Sequence, residues 1–257
     1  MSVHERLVSI VALVTIGLGV SLVINPPLVW GFVALLIVTT CIGTDQLLRS
    51  QAKPNSSSEQ TNVSLAVFVL PSLIVLGGFL FLRLPTFSHG VAVAIGLVTT
   101  ALFLTTALYG EAITSDLSTK RARQARLILN LIAYVIAFAL FSAIFAPKVR
   151  SILSATAILV ASGLISAELL RGAKRPESHP IYVAAIALSV AQVTWALNYW
   201  VLGALTGGAI LLLVFYTITN IIRSHLNGTL APGILGEHLA VAGMGMLAVI
   251  VGGLWLR

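Results

Sequence analysis

The sequence predicts an all-α protein, a polytopic transmembrane bundle of about nine helical spans, from three observations. Of its 257 residues, 58% are hydrophobic and only 9% are charged, whereas soluble domains carry about 25% charged residues. The mean hydropathy is +1.03. Apolar runs of span length recur along the chain, separated by polar or basic connections. Lipid is therefore expected to be the main solvent of a single integral membrane domain that covers residues 1–257.

Most of the nine apolar segments have the about 20 residues that a helix needs to cross the hydrocarbon core. Backbone amides and carbonyls cannot stay unpaired in hydrocarbon, so each segment is expected to be helical. The second segment is the shortest of the nine. The segments cover residues 7–24, 28–44, 63–83, 88–110, 127–146, 151–171, 181–199, 202–222 and 237–256.

The ends of the even-numbered spans point to a repeated helical hairpin. Three of them end with a polar residue followed closely by an arginine, whereas the fourth span ends with Glu111 and lacks the arginine. A period of about 50–65 residues corresponds to one hairpin, as in repeat architectures. Arginine anchoring at every helix end on one side of the membrane explains the pattern equally well. The pairs are Asp45 with Arg49, Glu168 with Arg171, and Asn220 with Arg223.

Charge asymmetry predicts the orientation. Eleven Lys and Arg residues fall on the side of the N-terminus and four on the other side. The positive-inside rule places the N-terminus in the cytoplasm, and nine crossings then place the C-terminus outside, with the plasma membrane as the expected location. Tryptophans favour the membrane interface. In this topology all four lie at or near the outer ends of their spans, namely Trp30, Trp195, Trp200 and Trp255.

The most basic connection, "TKRARQAR", predicts contact with anionic lipid headgroups. Each basic residue near a negatively charged membrane surface contributes about 1 kcal/mol of attraction. The net charge of +7 lies mostly in short loops between apolar spans, so it indicates topology and lipid contact, with no nucleic acid. The expected partners are the lipid bilayer, its anionic headgroups and a membrane protein. The residues assigned to headgroup contact are Lys120, Arg121, Arg123 and Arg126.

Ionisable residues are absent from the middle of every apolar segment. Proton-coupled transporters, pumps and voltage sensors need such groups partway through the membrane, so these mechanisms are disfavoured. Glu168 lies roughly 25 Å along its span at 1.5 Å per residue, which is close to one edge. Arg171 follows at i+3 on the same helix face. The pattern favours an edge ion pair over a buried proton or ion site.

The sequence predicts neither a metal site nor a cofactor. The five histidines include no i,i+4 pair and no H-E-x-x-H motif. Two distant aspartates cannot form the paired aspartate-rich motifs with which enzymes bind isoprenoid diphosphates. The single cysteine, Cys41, cannot form an intramolecular disulfide and is interpreted as a small buried hydrophobic residue.

Polar residues at the predicted cytoplasmic helix ends form the candidate site. If the helices pack as a bundle, arginines could hold a lipid phosphate while His225 or Glu237 moves a proton. The alternative is that these residues are solvated helix ends that cap and pair. The members are Glu111, Glu168, Arg171, Asn220, Arg223, His225, Glu237 and His238.

Other polar residues inside the spans are expected to serve packing. Small residues four apart, such as Gly203 and Gly207, let helices approach closely. Gln192 and Asn198 are expected to be buried amides that bond across helices. Adjacent threonines are expected to return hydroxyl hydrogen bonds to their own helix. These are Thr39 and Thr40, Thr99 and Thr100, and Thr105 and Thr106.

Three functional hypotheses remain open. The lack of mid-span charge and of catalytic motifs favours a non-catalytic scaffold, accessory or assembly subunit. A lipid-handling enzyme that uses the cytoplasmic-edge residues is the first alternative, and a transporter of a neutral or lipid-like molecule is the second. Whether the protein is an enzyme is undecided, with the balance toward a non-enzyme.

Overall fold

In the computed structural model, the described residues are almost entirely helical, which confirms the all-α prediction. The described residues are 3–25, 27–51, 66–85, 90–114, 120–147, 151–171, 179–228, 236, 240–241 and 243–247. The helices are α1 Val3–Val23, α2 Leu28–Gln51, α3 Ala66–Leu82, α4 Gly90–Thr114, α5 Lys120–Phe145, α6 Ser151–Leu170, α7 His179–Leu197 and α8 Ala204–Leu226. Most of the predicted last span, 237–256, lies outside the described residues.

Seven described helices are long and apolar enough to cross a membrane, which indicates an integral membrane protein. The shorter apolar helix is α3, whose apolar part covers Val67–Leu82. Helix α2 extends beyond the predicted second span, 28–44. It continues through the polar residues after its apolar run, to a length of 24 residues. None of those residues is a glycine or proline that would end the helix.

Helix α4 separates a buried face from an exposed apolar face. Leu104 and Leu108, one turn apart, are almost completely buried. Val91, Val98 and Leu102 are 74%, 59% and 60% exposed, and their spacing places them on one face of the helix. Such an apolar face is costly in water, at about 25 cal/mol per Å². In a membrane the same face is covered by lipid chains.

The chain divides into two compact units, residues 1–136 and 137–257, with the boundary inside α5. In unit 1, helices α1 to α4 pack against one another, and α1 with α2 and α3 with α4 are antiparallel pairs. The side chain of Ile10 on α1 occupies the space beside Gly43 on α2, and Thr100 on α4 occupies the space beside Gly78 on α3. Glycine at these positions lets the helices approach closely. Cys41 is half-buried, and its Sγ lies 3.3 Å from the Ser72 hydroxyl.

One end of unit 1 is held together by Arg83. Its guanidinium donates a hydrogen bond of 2.8 Å to the carbonyl of Ile24, just after α1. The same group lies 5.0 Å from the centroid of the Phe79 ring, in cation–π geometry. The Phe79 ring meets Trp30 edge-on, with centroids 6.0 Å apart. Arg83 therefore links the end of α1 to the end of α3 and, through Phe79, to the start of α2.

Unit 2 contains the last part of α5, residues 137–145, together with α6, α7 and α8. Asn198, just after α7, donates a 2.8 Å hydrogen bond to the Ser154 hydroxyl near the start of α6. This bond confirms that Asn198 bonds across helices. Phe141 of α5 meets Phe215 of α8 in a T-shaped contact with centroids 5.6 Å apart.

The polar side chains inside the helices mostly satisfy their own backbone. All six threonines of the predicted pairs donate to the carbonyl four residues earlier, at 2.7–2.8 Å, so that prediction is confirmed. The prediction that Gln192 is buried was wrong, because its side chain is exposed. Gln192 lies three residues before Trp195, which is 57% exposed, and therefore shares the outer face of α7.

Candidate functional site

The end of α6, the start of α7 and the end of α8 lie together at one end of unit 2. The hydrogen bond from Asn198 to Ser154 fixes the opposite end of the α6–α7 pair. The Tyr182 ring near the start of α7 lies 6.1 Å from the His225 ring near the end of α8. We call this region the polar end of unit 2, and it comprises Glu168, Arg171, His179, Tyr182, Arg223 and His225.

The register of the three helices places Glu168 and Arg223 at about the same level along the bundle. Helix α7 is antiparallel to both α6 and α8, so α6 and α8 run parallel and also contact each other. Counting along the helices from the contacts of Ser154 with Asn198 and of Tyr182 with His225 brings Glu168 and Arg223 to about the same level. One carboxylate and one guanidinium from different helices therefore share a layer of the bundle.

The predicted ion pair between Glu168 and Arg171 is confirmed. Arg171 Nη1 lies 3.3 Å from Glu168 Oε2, and the side chains are 24% and 9% exposed, respectively. The three-residue spacing puts both groups on one face of α6. A guanidinium carries five N–H donors in a planar fork, so Arg171 can bridge Glu168 and a second acceptor. The pair fixes a cationic group at the end of α6.

His179 and Tyr182, in the first turn of α7, also belong to the polar end of unit 2, although the sequence did not single them out. The His179 Nε2 atom is shielded from solvent and has no hydrogen-bond partner among the described residues. Shielded polar atoms in folded proteins nearly always have a partner, so such a nitrogen is unusual. The hairpin pattern could have found both residues, because it brings the start of the seventh span to the ends of the sixth and eighth.

The end of α8 is closed by its own backbone. The Asn227 N–H donates to the Arg223 carbonyl at 3.0 Å, and the Gly228 N–H donates to the His225 carbonyl at 3.0 Å. Gly228 has φ of +70°, a left-handed conformation that glycine adopts without strain and that ends the helix. Arg223 and His225 therefore lie in the last turn of α8, where positive charge is favourable.

The other predicted members of the candidate site are not all brought together. Asn220 donates to the carbonyl of Tyr216 on its own helix, at 2.9 Å. Glu111 lies in unit 1, where it is buried near the end of α4. Glu237 and His238 lie outside the described residues.

The four residues assigned to headgroup contact lie in the first two turns of α5. Arg126 belongs to unit 1 and is half-buried. The side chains of the other three, Lys120, Arg121 and Arg123, lie outside the described residues. Their contact with anionic lipid stays a prediction.

The described side chains contain no group of three His, Cys, Asp or Glu residues that could hold a metal ion. What the polar end of unit 2 offers instead is hydrogen-bond donors and positive charge. Arginine and histidine side chains in such an arrangement bind anions or, with a suitable substrate, transfer protons.

Residues 8–252 match the family described as "Protein of unknown function (DUF5656)". No curated protein and no solved structure matches the chain.

Proposed function

We propose that this chain, which belongs to the family "Protein of unknown function (DUF5656)", is a non-catalytic membrane scaffold or assembly subunit held by lipid and by partner helices. The placement of its polar groups carries the proposal. In the described helices, every Asp, Glu, Lys, Arg and His lies in the first or last two turns. This favours a role that needs no ionisable group partway through the membrane.

The polar side chains within the helices support the same role. The six threonines of the adjacent pairs donate to carbonyls of their own helices, and the Asn198 amide donates to Ser154 on a neighbouring helix. Polar groups engaged in this way stabilise helices and their packing. The exposed apolar faces, such as that of α4, give a partner helix a surface on which to pack.

The proposed orientation places the N-terminus in the cytoplasm and the C-terminus outside. Its support is the excess of Lys and Arg on the side of the N-terminus. A reporter enzyme that is active only outside the cytoplasm, fused after Arg257, should be active. Activity of a strictly cytoplasmic reporter at the same position would contradict the orientation or the count of nine spans.

Native mass spectrometry after gentle extraction into membrane-derived lipid discs tests the scaffold role. The expected result is a protein partner retained at fixed stoichiometry. An unrelated multi-pass protein of similar size, extracted from the same membranes, serves as the control for neighbours that are captured by chance. A single retained lipid or small molecule without any protein partner would contradict the scaffold role.

A lipid-handling enzyme is the second candidate, and the polar end of unit 2 favours it. There, guanidinium, imidazole and phenol groups from three helices meet at one end of an apolar bundle. Under this reading, Arg223→Ala and Glu168→Ala should each abolish a lipid conversion while the protein remains folded. Unchanged lipid turnover in both variants would exclude these residues as its site.

A further inference from the structure

We infer that the polar end of unit 2 binds the phosphate group of an anionic ligand, either a lipid headgroup or a soluble organic phosphate. The inference is independent of the scaffold proposal, because a scaffold and an enzyme can both hold such a ligand. It follows from the charge, the hydrogen-bond donors and the position of this end of the unit.

The first argument is the charge that the helices bring together. Arg171 of α6 pairs with Glu168, and Arg223 of α8 lies at about the same level along the bundle. The described side chains of this layer thus bring two guanidinium groups and one carboxylate to the same level of the bundle. Because Glu168 already holds Arg171 at 3.3 Å, that guanidinium is positioned before a ligand arrives. A guanidinium group can bind phosphate oxygens with two parallel hydrogen bonds.

The second argument is the nitrogen of His179. Its Nε2 atom is shielded from water and has no hydrogen-bond partner among the described residues. A shielded polar atom costs free energy until it finds a partner. A phosphate oxygen accepts a hydrogen bond from an imidazole N–H, so an anionic ligand supplies what this nitrogen lacks. The histidine stands at the first residue of α7, where the helix dipole also favours an anion.

The third argument is position. Helices α6, α7 and α8 each have an apolar stretch of span length, and the polar end of unit 2 lies where these stretches end. The headgroups of a bilayer lie at this depth, next to the hydrocarbon core. A membrane therefore presents phosphate groups to this end at high local concentration. Tyr182, packed against His225, adds the amphipathic ring that is typical of the interface.

A simpler account is that Arg223 and His225 only stabilise the end of α8 through its dipole. Both accounts predict some loss of stability when Arg223 loses its charge. Only the binding account predicts that an added phosphate ligand stabilises the wild type and does so less in the variant, because a ligand that binds the folded state alone raises its stability.

The test is a titration of the full chain, in phosphate-free neutral detergent, with phosphatidic acid, followed by native mass spectrometry. The wild type is expected to bind one molecule saturably, and Arg223→Gln about tenfold more weakly, which equals one charge-assisted hydrogen bond at 1.4 kcal/mol per decade. Arg6→Gln is the matched control, since it removes the same charge from an exposed position in unit 1. Its binding should equal that of the wild type.

Two further arms identify the source of the phosphate. If inorganic phosphate at millimolar concentration displaces the lipid, the site recognises the phosphate group itself, which a soluble ligand can also supply. If inorganic phosphate does not displace the lipid and diacylglycerol does not bind, the site needs both the phosphate group and the acyl chains. Both results support an anionic phosphate ligand. Equal affinity in the wild type and Arg223→Gln, or an equal loss in Arg6→Gln, would overturn the inference.

His179→Phe keeps the test informative if Arg223→Gln unfolds. Phenylalanine preserves an aromatic ring and removes the nitrogen, so no hydrogen bond to a phosphate remains. Binding is expected to weaken several-fold, while the thermal unfolding temperature without ligand stays the same or rises. Wild-type affinity in a folded His179→Phe variant would show that the shielded nitrogen does not contact the ligand, and would overturn its place in the site.

Discussion

Gly208 of α8 is expected to tolerate no side chain, because the backbone of α5 lies very close to it. A Cβ atom built on Gly208 would lie 2.8 Å from the Cα of Ser142, and closer still to the Ser142 hydroxyl. The hydroxyl can rotate away, but the Cα belongs to the backbone of α5. Gly208→Ala must therefore push the two helices apart.

The expected loss follows from two opposing effects. Overpacking of a well-packed interior costs typically about 1–3 kcal/mol. Alanine in place of glycine recovers about 1 kcal/mol of helix propensity, as long as the helix itself is unchanged. Because packing between small residues is a main source of helix association in a membrane, the first effect should dominate. We expect Gly208→Ala to lower the free energy of unfolding by up to about 2 kcal/mol.

Gly163→Ala is the matched control on α6. Its added Cβ would lie 3.6 Å from the Cβ of Ala187, an ordinary van der Waals contact, so the stability should stay equal or rise. Reversible unfolding in mixed micelles, titrated with a denaturing detergent, measures both variants. Adding Ser142→Gly to Gly208→Ala removes the clash with the hydroxyl but leaves the Cα in place, so it should restore only part of the loss. A Gly208→Ala variant as stable as Gly163→Ala would refute the reasoning.

Two other contacts can be tested by the same titration. Asn198→Ala and Ser154→Ala should each destabilise, and their double-mutant cycle should give a coupling of about 0.6 kcal/mol, the average for hydrogen bonds between membrane helices. Additive losses would show that the 2.8 Å bond contributes nothing. Arg83→Ala should cost about 1 kcal/mol, because it removes the bond to the Ile24 carbonyl and the exposed contact with the Phe79 ring. Arg83→Gln should recover little of this loss, and full recovery would assign the effect to the side-chain stem.

Local features were predictable from the sequence because their causes are local. The Glu168–Arg171 ion pair follows from i,i+3 spacing on one helix. Threonine hydroxyls in apolar helices reach the carbonyl of their own preceding turn, so Thr40 and Thr100 needed no knowledge of the fold. The helical spans follow from hydrocarbon's inability to pair backbone groups.

Features that depend on the facing helix were not predictable in the same way. To predict the Gly208 contact one must know that Ser142 faces it, and the sequence of α8 alone does not indicate which residue of α5 lies there. Gln192 was expected to be buried because it is polar within an apolar span, yet it lies on the outer face of α7. His179 resembled a loop residue until α7 was seen to begin with it. For Gly208 and Gln192 the deciding quantity is the rotation of the helix about its axis, and for His179 it is the residue at which the helix begins.

Lipid is expected to cover the exposed apolar faces of the helices, and cysteine labelling tests this directly. In a Cys41→Ser background, a cysteine at Val98, which is 59% exposed, is compared with one at the exposed Arg6. Unsealed membrane fragments give a water-soluble maleimide access to both sides. The cysteine at position 6 should react rapidly, and the one at position 98 only after solubilisation in sodium dodecyl sulfate. Equally rapid labelling at both positions in intact membranes would contradict the account.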